Sequence, residues 1–398
     1  MKSVMIGKAD FISGTSKRWR VFFGGWACIF SICPASPGQV LHWDNTPATT
    51  GIQDGGGNWS NSSTLTNWWN GTKNVGWISG ATAGIGSNLT SGATIALTNP
   101  IVAGGIIFSN NFTITAAGQG VPGYTIAGIA PNTNVTMTGS PATIVMADNC
   151  PNPQSYPGAS GQTTLNASLV ATGGISVVSM ASGWQSQIAF NNATNFINGA
   201  MEVGTPGAAD YNRATALQVQ LNNGGLGAGT LTGCTNILIH TNAGVLLRGT
   251  GGSYTLNWPK NFIISGDGIP SSFFCFGAIN FSGNNGCTFP ANIQLAGDST
   301  VILTWGVNNA VVTNTGNITG TGRLRLNQSA NRPTTGSRLV LKGTNTYVGA
   351  TIIDGGLMVQ AASGANNRLP SGTALELGNS GLFDADKRSG TPQSRYNG

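Results

Sequence analysis

Short apolar runs, separated by glycine, asparagine and threonine, follow one another along the chain from about residue 90 onward. Each run is three to five residues long and rich in β-branched or aromatic side chains; examples are Thr94–Leu97, Gly105–Phe108, Ile175–Val178, Leu324–Leu326 and Leu339–Leu341. Others alternate apolar with polar residues, as in Ile293-Gln294-Leu295 and Leu375-Glu376-Leu377. This alternation places one face of a strand in a core and the other in water. The pattern predicts many short β-strands bounded by turns.

The spacing of these runs is typical of a sandwich, a barrel or a β-solenoid. A sandwich of this length would divide into several domains, yet no charged or proline-rich linker follows residue 160. A solenoid uses glycine and asparagine at its corners, where stacked asparagine and threonine side chains bond between coils. We therefore expect an all-β chain folded as a right-handed parallel β-helix. Its coils would be of roughly 20 to 25 residues and on the order of 15 in number.

Composition supports this fold class. Of 398 residues, 60 are glycine and 17 are proline, and only 8% are charged. Glycine is poor in helix interiors, so a mostly helical protein is disfavoured. Low charge suits stacked coils, because like charges at equivalent positions would lie about 4.8 Å apart.

The first 38 residues have the pattern of a signal peptide. The basic run Lys17-Arg18-Trp19-Arg20 precedes the apolar stretch Val21–Cys33, and the small residues of PASPGQ follow it. This order predicts cleavage between Ala35 and Gln39, with an uncleaved N-terminal anchor as the alternative. The apolar stretch is too short to span a bilayer. Removing 1–38 also removes most of the formal charge of +6. We therefore expect a protein secreted or displayed on a bacterial surface, with no nucleic-acid partner and no stable membrane span.

Residues 39–90 are dense in tryptophan, asparagine and glycine, and residues 91–398 carry the repeated strand pattern. We expect an N-terminal cap followed by a β-helical repeat domain. The densest aromatic group is Trp59, Trp68, Trp69 and Trp77. It is predicted to cover the open end of the first coil, as any solenoid requires. The alternative is a platform for stacking sugars.

Residues 339–360, LVLKGTNTYVGATIIDGGLMVQ, resemble the autotransporter-associated β-strand repeat. The positions that match are Gly343, Asn345, Thr346, Tyr347, Gly349, Thr351, Ile353, Gly355, Gly356, Leu357 and Val359. Residues 367–386 are similar to the continuation of that repeat, and the segment from Trp43-Asp44 to Trp69 is similar to the one that precedes such repeats. The resemblance implies a passenger-type β-helix at a cell surface, and this family has no catalytic residues to transfer.

The repeat at 339–386 suggests a role for each of its residue types. Leu339–Leu341 and Leu357–Val359 are predicted to contribute inward side chains to successive faces of one coil. Gly343, Gly349 and Gly355-Gly356 are predicted to adopt positive φ at corners.

Two polar side chains of the same repeat also have predicted roles. Asn345 is predicted to cap a turn by bonding its own backbone and to stack on asparagines of adjacent coils. Tyr347 is predicted to cover a corner and leave its hydroxyl in water.

Candidate catalytic chemistry is sparse. Polysaccharide-cleaving β-helices of the pectin-lyase type need clustered carboxylates or carboxylate-bound calcium. Here the acids are scattered in sequence, as Asp148, Glu202, Asp210, Asp267 and Asp298. Asp384 and Asp386 share a strand face and are interpreted as an exposed strand end. His42 and His240 lie far apart and no CxxC motif occurs, which disfavours zinc. We expect no catalytic residue, no cofactor and no metal.

Arg323 and Arg325 share one face and, with Arg332 and Arg338, form the one basic concentration. Arg323 and Arg325 are candidate contacts for an acidic glycan, as Trp59, Trp68, Trp69 and Trp77 are for a glycan platform. The alternative for the arginines is a solubilising exposed face. The cysteines after the leader allow three disulfide pairings, and buried free thiols are equally compatible; they are Cys150, Cys234, Cys275 and Cys287.

The sequence thus favours a non-catalytic, secreted or surface-displayed structural or adhesive β-helix. A glycan-binding module and a polysaccharide-cleaving enzyme of the pectin-lyase-like class are the alternatives. Extracellular polysaccharide or cell-surface components are the expected partners, and the oligomeric state is left open.

Overall fold

A computed structural model describes most of the chain that follows the leader, and every described residue belongs to one compact unit, Pro37–Gly398. The described residues are 38–86, 93–109, 125–128, 133–147, 163–180, 186–192, 194–206, 215–220, 231–248, 254–255, 260–268, 277–282, 286–305, 311–328, 338–354, 358–361, 368–378, 382–384 and 395–397. Apart from Gly38, the predicted signal peptide lies outside them.

The regular elements in these ranges are all β-strands, which confirms the predicted all-β class. The strands are β1 Val40–Trp43, β2 Gly57–Trp59, β3 Trp68–Trp69, β4 Asn74–Val75, β5 Thr82–Ile85, β6 Thr94–Leu97, β7 Ile101–Ala103, β8 Gly105–Phe108, β9 Thr125–Gly128, β10 Asn134–Met137, β11 Ala142–Met146, β12 Thr163–Leu165, β13 Ser168–Ala171, β14 Ile175–Ser179, β15 Ser186–Phe190, β16 Phe196–Val203, β17 Thr215–Gln220, β18 Thr232–Ile239, β19 Ala243–Arg248, β20 Tyr254–Thr255, β21 Asn261–Gly266, β22 Ile279–Ser282, β23 Cys287–Phe289, β24 Asn292–Trp305, β25 Val311–Asn314, β26 Ile318–Gly320, β27 Leu324–Gln328, β28 Arg338–Leu341, β29 Thr351–Ile353, β30 Met358–Ala361, β31 Leu375–Leu377, β32 Leu382–Asp384 and β33 Arg395–Asn397.

The strands pair in long parallel ladders that skip two or three strands at a time. One ladder runs through β1, β5, β8, β11, β14, β16, β18, β21, β24 and β26. A second runs through β2, β6, β9, β12, β15, β17, β19, β22, β24, β27, β29 and β31. A third side is formed by β7, β10, β13, β16 and β18, and farther along by β20, β23, β25, β28, β30 and β32. Such pairing is compatible with a β-solenoid of three-sided coils.

The coils are longer and fewer than the sequence predicts. The second ladder contains twelve strands, against the expected number of about 15 coils. Paired residues are separated by as few as 20 positions, as in Arg338 with Met358, and by as many as 42, as in Val40 with Thr82. The longer separations occur where loops or the β3–β4 hairpin extend a coil, so a fixed period does not apply.

The core is a column of inward side chains contributed by every coil. In β11 the residues of ATIVM alternate between buried and half-buried, and the same alternation occurs in β10 and β25. Parallel register stacks like on like: Ile106, Ile144 and Val177 lie at equivalent positions of β8, β11 and β14, and all are buried. Each buried aliphatic side chain of this kind contributes about 1.5–3 kcal/mol of transfer free energy. The alternation fails at β31, where Leu375 is 38% exposed.

The repeat at 339–386 differs from its predicted geometry. The two apolar pieces do not occupy successive faces of one coil, because β28 and β30 pair with each other, Leu339 facing Val359. They are therefore the same face of two consecutive coils. The strand between them, β29, pairs instead with β27 and β31 on the second ladder.

The glycines of this repeat are required for a reason other than the predicted one. Gly343 and Gly349 do not have positive φ. A Cβ at Gly343 would lie 1.9 Å from the carbonyl oxygen of Gly316, and one at Gly349 would lie 2.4 Å from that of Gly322. Both glycines thus allow the backbones of adjacent coils to touch. Gly355-Gly356 and Leu357 lie outside the described residues.

The predicted roles of Asn345 and Tyr347 are also corrected. Asn345 is buried, accepts a 2.9 Å hydrogen bond from the backbone N–H of Ile318, and donates to the carbonyl of Arg368. It therefore bridges the coils before and after its own, and does not cap its own turn. Tyr347 is only 1% exposed, and its hydroxyl shares a buried hydrogen bond with Thr351 Oγ1. Burial raises the pKa of this hydroxyl to about 12, against the opposing effect of that hydrogen bond.

Stacked asparagines at one corner confirm the expected hydrogen bonding between coils. Asn261 Nδ2 donates to Asn236 Oδ1 at 2.9 Å, and Asn292 Nδ2 donates to Asn261 Oδ1 at 3.1 Å. The row continues through backbone donors, since the N–H of Asn317 donates to Asn292 at 3.0 Å and that of Thr344 donates to Asn317 at 2.8 Å. We call this row the amide ladder.

Of the four cysteines, Cys234 and Cys287 are buried, whereas Cys150 and Cys275 lie outside the described residues. Cys234 is a free thiol whose pKa burial raises to about 12. A thiol in this state is a core side chain and not a nucleophile.

Candidate functional site

The tryptophans of the N-terminal segment form a buried cluster and not a flat platform. Trp59 and Trp68 are 0% and 1% exposed, Trp77 is 6% exposed, and Trp69 is half-buried. Ring centroids lie 4.6–5.3 Å apart with interplanar angles of 54–76°, and Trp43 joins the cluster through Trp68. Tilted and edge-on contacts of this kind are typical of aromatic cores. The burial removes the ring faces that sugar stacking requires, and the glycan-platform interpretation is corrected on this point.

Hydrogen bonds hold this cluster in place. The indole N–H of Trp43 donates to the carbonyl of Gly55 at 2.8 Å, and that of Trp77 donates to the carbonyl of Val102 at 3.0 Å. The second bond reaches β7 on the next coil. The cluster thus connects the first strands of the stack with those that follow.

The acidic residue beside Trp43 is structural. Asp44 is fully buried and accepts hydrogen bonds from the backbone N–H groups of Thr46 at 2.9 Å and Gln53 at 3.3 Å. The side-chain amide of Asn74 donates to its second oxygen at 2.7 Å. These bonds satisfy a buried carboxylate and fix the 44–54 loop against the β3–β4 hairpin.

The two histidines lie on different coils, as their sequence separation predicts. His42 is on β1, where burial lowers its pKa against the attraction of Asp54. His240 follows β18, and its Nε2 lies 2.7 Å from Glu202 Oε1 on β16 of the preceding coil. Sequence reasoning missed this pair, because only the parallel register of β16 and β18 brings the two residues together.

A shallow cleft near the C-terminal coils gathers charged residues from several of them. Its lining consists of Asp267, Asp298, Ser299, Arg323, Arg325 and Ile352. Asp354 and Glu376 border it, since Asp354 Oδ2 lies 3.5 Å from Arg325 Nε, and Glu376 pairs in register with Ile352. We call these eight residues the charged cleft. The predicted sites Arg323 and Arg325 both lie in it.

Arg323 is bound to a carboxylate on the preceding coil. Its Nε and Nη2 atoms each lie 2.8 Å from Asp298 Oδ2, and its backbone N–H donates to Asp298 Oδ1 at 2.8 Å. These bonds hold the pKa of Asp298 below its ordinary value, and the same partner raises the pKa of Arg323. Asp298 is therefore held ionised, which suits a charge-pairing group and not a proton donor.

Arg325 is held less tightly. Its Nε lies 3.5 Å from Asp354 Oδ2, an ion-pair distance that is long for a hydrogen bond, and this buried donor atom has no acceptor among the described residues. The guanidinium is 43% exposed, so its outer N–H groups face the solvent of the cleft.

The charge balance of the cleft reverses the sequence expectation. Two arginines are accompanied by four carboxylates, those of Asp267, Asp298, Asp354 and Glu376. Both Asp267 and Glu376 act on Arg323 through their charge. The face that the sequence suggested as basic therefore has a surplus of two negative charges. An acidic glycan is not its natural ligand.

Among the residues that the structure describes, no group of three or more His, Cys, Asp or Glu side chains is arranged to hold a metal ion. Within the same ranges there is no helix with the length and apolar character needed to cross a membrane. Arg332, Asp148, Asp210 and Asp386 lie outside the described residues, as does the side chain of Asp384.

Comparison with known proteins adds no family to this description. No family model, no curated protein and no solved structure matches the chain. The resemblance to the autotransporter-associated β-strand repeat therefore stays a prediction from the sequence.

Proposed function

We propose that this chain is a non-catalytic, right-handed parallel β-helix, secreted or displayed at a bacterial surface, with a structural or adhesive role. The observation that carries the proposal is the use of its polar side chains. Buried and half-buried amides and carboxylates bond to neighbouring coils and loops, as the amide ladder, Asn345 and Asp44 do. Groups engaged in this way stabilise a scaffold and are not placed to act on a substrate.

The right-handed sense rests on the connections between parallel strands. Consecutive strands of one ladder are parallel and are joined through strands on the other sides of the coil. Connections between parallel strands of one sheet are right-handed in the great majority of proteins, because of the twist of the strands. The cap at 39–90 and the leader at 1–38 are part of the same proposal.

A glycan-binding module is the second candidate, and the charged cleft favours it. Carboxylate and guanidinium groups on an open surface are well suited to hydrogen-bond sugar hydroxyls. A polysaccharide-cleaving enzyme is disfavoured because Asp298, in the middle of the cleft, is held ionised by Arg323 and is unsuited to protonate a leaving group.

Incubation of the purified chain with a panel of neutral, acidic and amino polysaccharides tests the non-catalytic role. We expect no new reducing ends and no unsaturated uronate absorbance above a boiled control. Turnover of any of these polymers, lost in Asp298→Asn or Asp267→Asn, would overturn the proposal and favour the enzyme.

A further inference from the structure

We propose that the charged cleft binds an amino-bearing polysaccharide, its carboxylates contacting the sugar ammonium groups and Arg325 contacting hydroxyl oxygens. The inference rests on the proposed surface role and names the ligand class of its adhesive contact. It differs from the sequence expectation of an acidic glycan in the sign of the ligand charge.

Charge complementarity carries the first step. The cleft has two guanidinium groups and four carboxylates, and Arg323 is already bound to Asp298 through three 2.8 Å contacts. The remaining field is that of Asp267, Asp354 and Glu376 against Arg325. Its net negative charge attracts a cationic ligand and repels a polyuronate.

An unmet donor carries the second step. The Nε of Arg325 is buried without an acceptor, and its nearest carboxylate oxygen, on Asp354, is 3.5 Å away. A buried donor that lacks an acceptor is unfavourable by about 1–3 kcal/mol. A guanidinium so placed requires acceptor oxygens from a ligand, which sugar hydroxyls provide.

The geometry of the rank favours a polysaccharide over a peptide. Thr300, Arg325, Ile352 and Glu376 follow one another in register on four consecutive coils. Neighbouring strands are about 4.8 Å apart, which is close to the length of one pyranose residue in an extended chain. A polymer lying along the stack therefore meets one side chain of this rank per sugar. The lining contains one aliphatic side chain, Ile352, and so lacks the apolar pockets on which peptide recognition depends.

Equilibrium binding of the purified full chain to immobilised polymers tests the inference. The probes are chitosan, N-acetylated chitin, polygalacturonate and poly-lysine, each at low salt and at 0.5 M salt. We expect chitosan to bind best, chitin more weakly and polygalacturonate least, with the chitosan signal reduced at high salt. Tightest binding of polygalacturonate would overturn the inference. Equal binding of poly-lysine and chitosan would do the same, because it would show a general attraction for cations.

Variants locate the site. The double variant Asp354→Asn, Glu376→Gln is expected to weaken chitosan binding on the order of tenfold, the loss of two exposed ion pairs. Glu202→Gln is the matched control, since it removes one carboxylate on a distant coil and retains a side chain that bonds to His240. A control that weakens binding as much as the double variant contradicts the assignment. Absence of chitosan binding together with absence of turnover overturns this inference alone, whereas turnover overturns the proposed function.

Discussion

At the scale of single residues, contact between the backbones of successive coils decides where glycine is required. A Cβ on Gly322 would lie 1.8 Å from the carbonyl oxygen of Gly297, and one on Gly349 would lie 2.4 Å from that of Gly322. The three glycines are stacked at equivalent corners of three consecutive coils. Only the later members of the row meet a backbone beneath them, because a Cβ on Gly297 would approach nothing closer than Ser265 Oγ at 3.2 Å.

This difference predicts unequal effects of one substitution at two stacked sites. Gly322→Ala must displace a coil backbone and is expected to destabilise the protein by about 2–4 kcal/mol. Gly297→Ala is expected to change stability by less than about 1 kcal/mol, because only a flexible hydroxyl must move. Urea unfolding of both variants measures the two values. Similar losses at both positions would contradict the stacked-glycine explanation.

Tyr347 and Thr351 form a buried hydroxyl pair that is sensitive to the removal of either partner. Tyr347→Phe leaves Thr351 Oγ1 without its partner and is expected to cost about 1–2 kcal/mol of stability. Adding Thr351→Val removes the second hydroxyl and is expected to recover part of this loss. A double-mutant cycle by denaturant unfolding gives the coupling energy. A coupling energy of zero would mean that the hydroxyls are solvated, as the sequence first suggested.

At the scale of the elements, hydrogen bonds along the corners connect coils that the strand ladders already pair. Asn261 is the central member of the amide ladder, as donor to Asn236 and acceptor from Asn292. Asn261→Ala removes both bonds from partly exposed groups and is expected to cost about 1–2 kcal/mol. Hydrogen exchange should rise first in β21 and its neighbours β18 and β24. Faster exchange only in distant coils would contradict a local role of the ladder.

The Asp298–Arg323 pair makes the C-terminal coils sensitive to acid. The folded pKa of Asp298 is depressed, so its contribution is present above the unfolded pKa, near the ordinary value of 3.8, and is lost as pH falls through the folded pKa. The effect is small, because the pair is about half exposed. The melting temperature of Asp298→Asn should be below that of the parent at pH 6 and equal to it at pH 2. A difference that persists unchanged at pH 2 would contradict the ion-pair explanation.

The strands themselves were predictable from sequence, whereas their partners were not. Thr94–Leu97, Gly105–Phe108 and Leu375–Leu377 are strands with the bounds of their apolar runs, because β-branched residues between turn formers are a local signal. Pairing depends on coil length, which varies from 20 to 42 residues with the loops. The charged cleft escaped prediction for the same reason. One clue was present, since Asp298 and Arg323 are separated by the same 25 positions as the paired Ser299 and Leu324.

At the scale of the whole described stack, stability is a sum of contacts between neighbouring coils. Each strand of a ladder contacts the coil before and the coil after it, and one apolar column runs through all of them. Such architectures have approximately additive stabilities set by nearest-neighbour interfaces. An adhesive surface built in this way is repetitive, with equivalent side chains presented in rows along the stack.

The order of residues within one such row is the central claim of this account. Val102, Thr136 and Val170 are predicted to be consecutive members of a row on the third side, half-buried and paired in register. Neighbours of this kind have Cα atoms about 4.8 Å apart, within the range that a disulfide spans.

Disulfide mapping by mass spectrometry after mild oxidation tests this row most directly. We expect Val102→Cys to cross-link with Thr136→Cys, and Thr136→Cys with Val170→Cys, in two separate double variants. Thr136→Cys with Leu169→Cys is the control, because Leu169 is buried on the opposite face of its strand. Efficient cross-linking of both row pairs without the control pair is the result the solenoid predicts. Failure of both row pairs in folded protein, or equal cross-linking of the control, would contradict it.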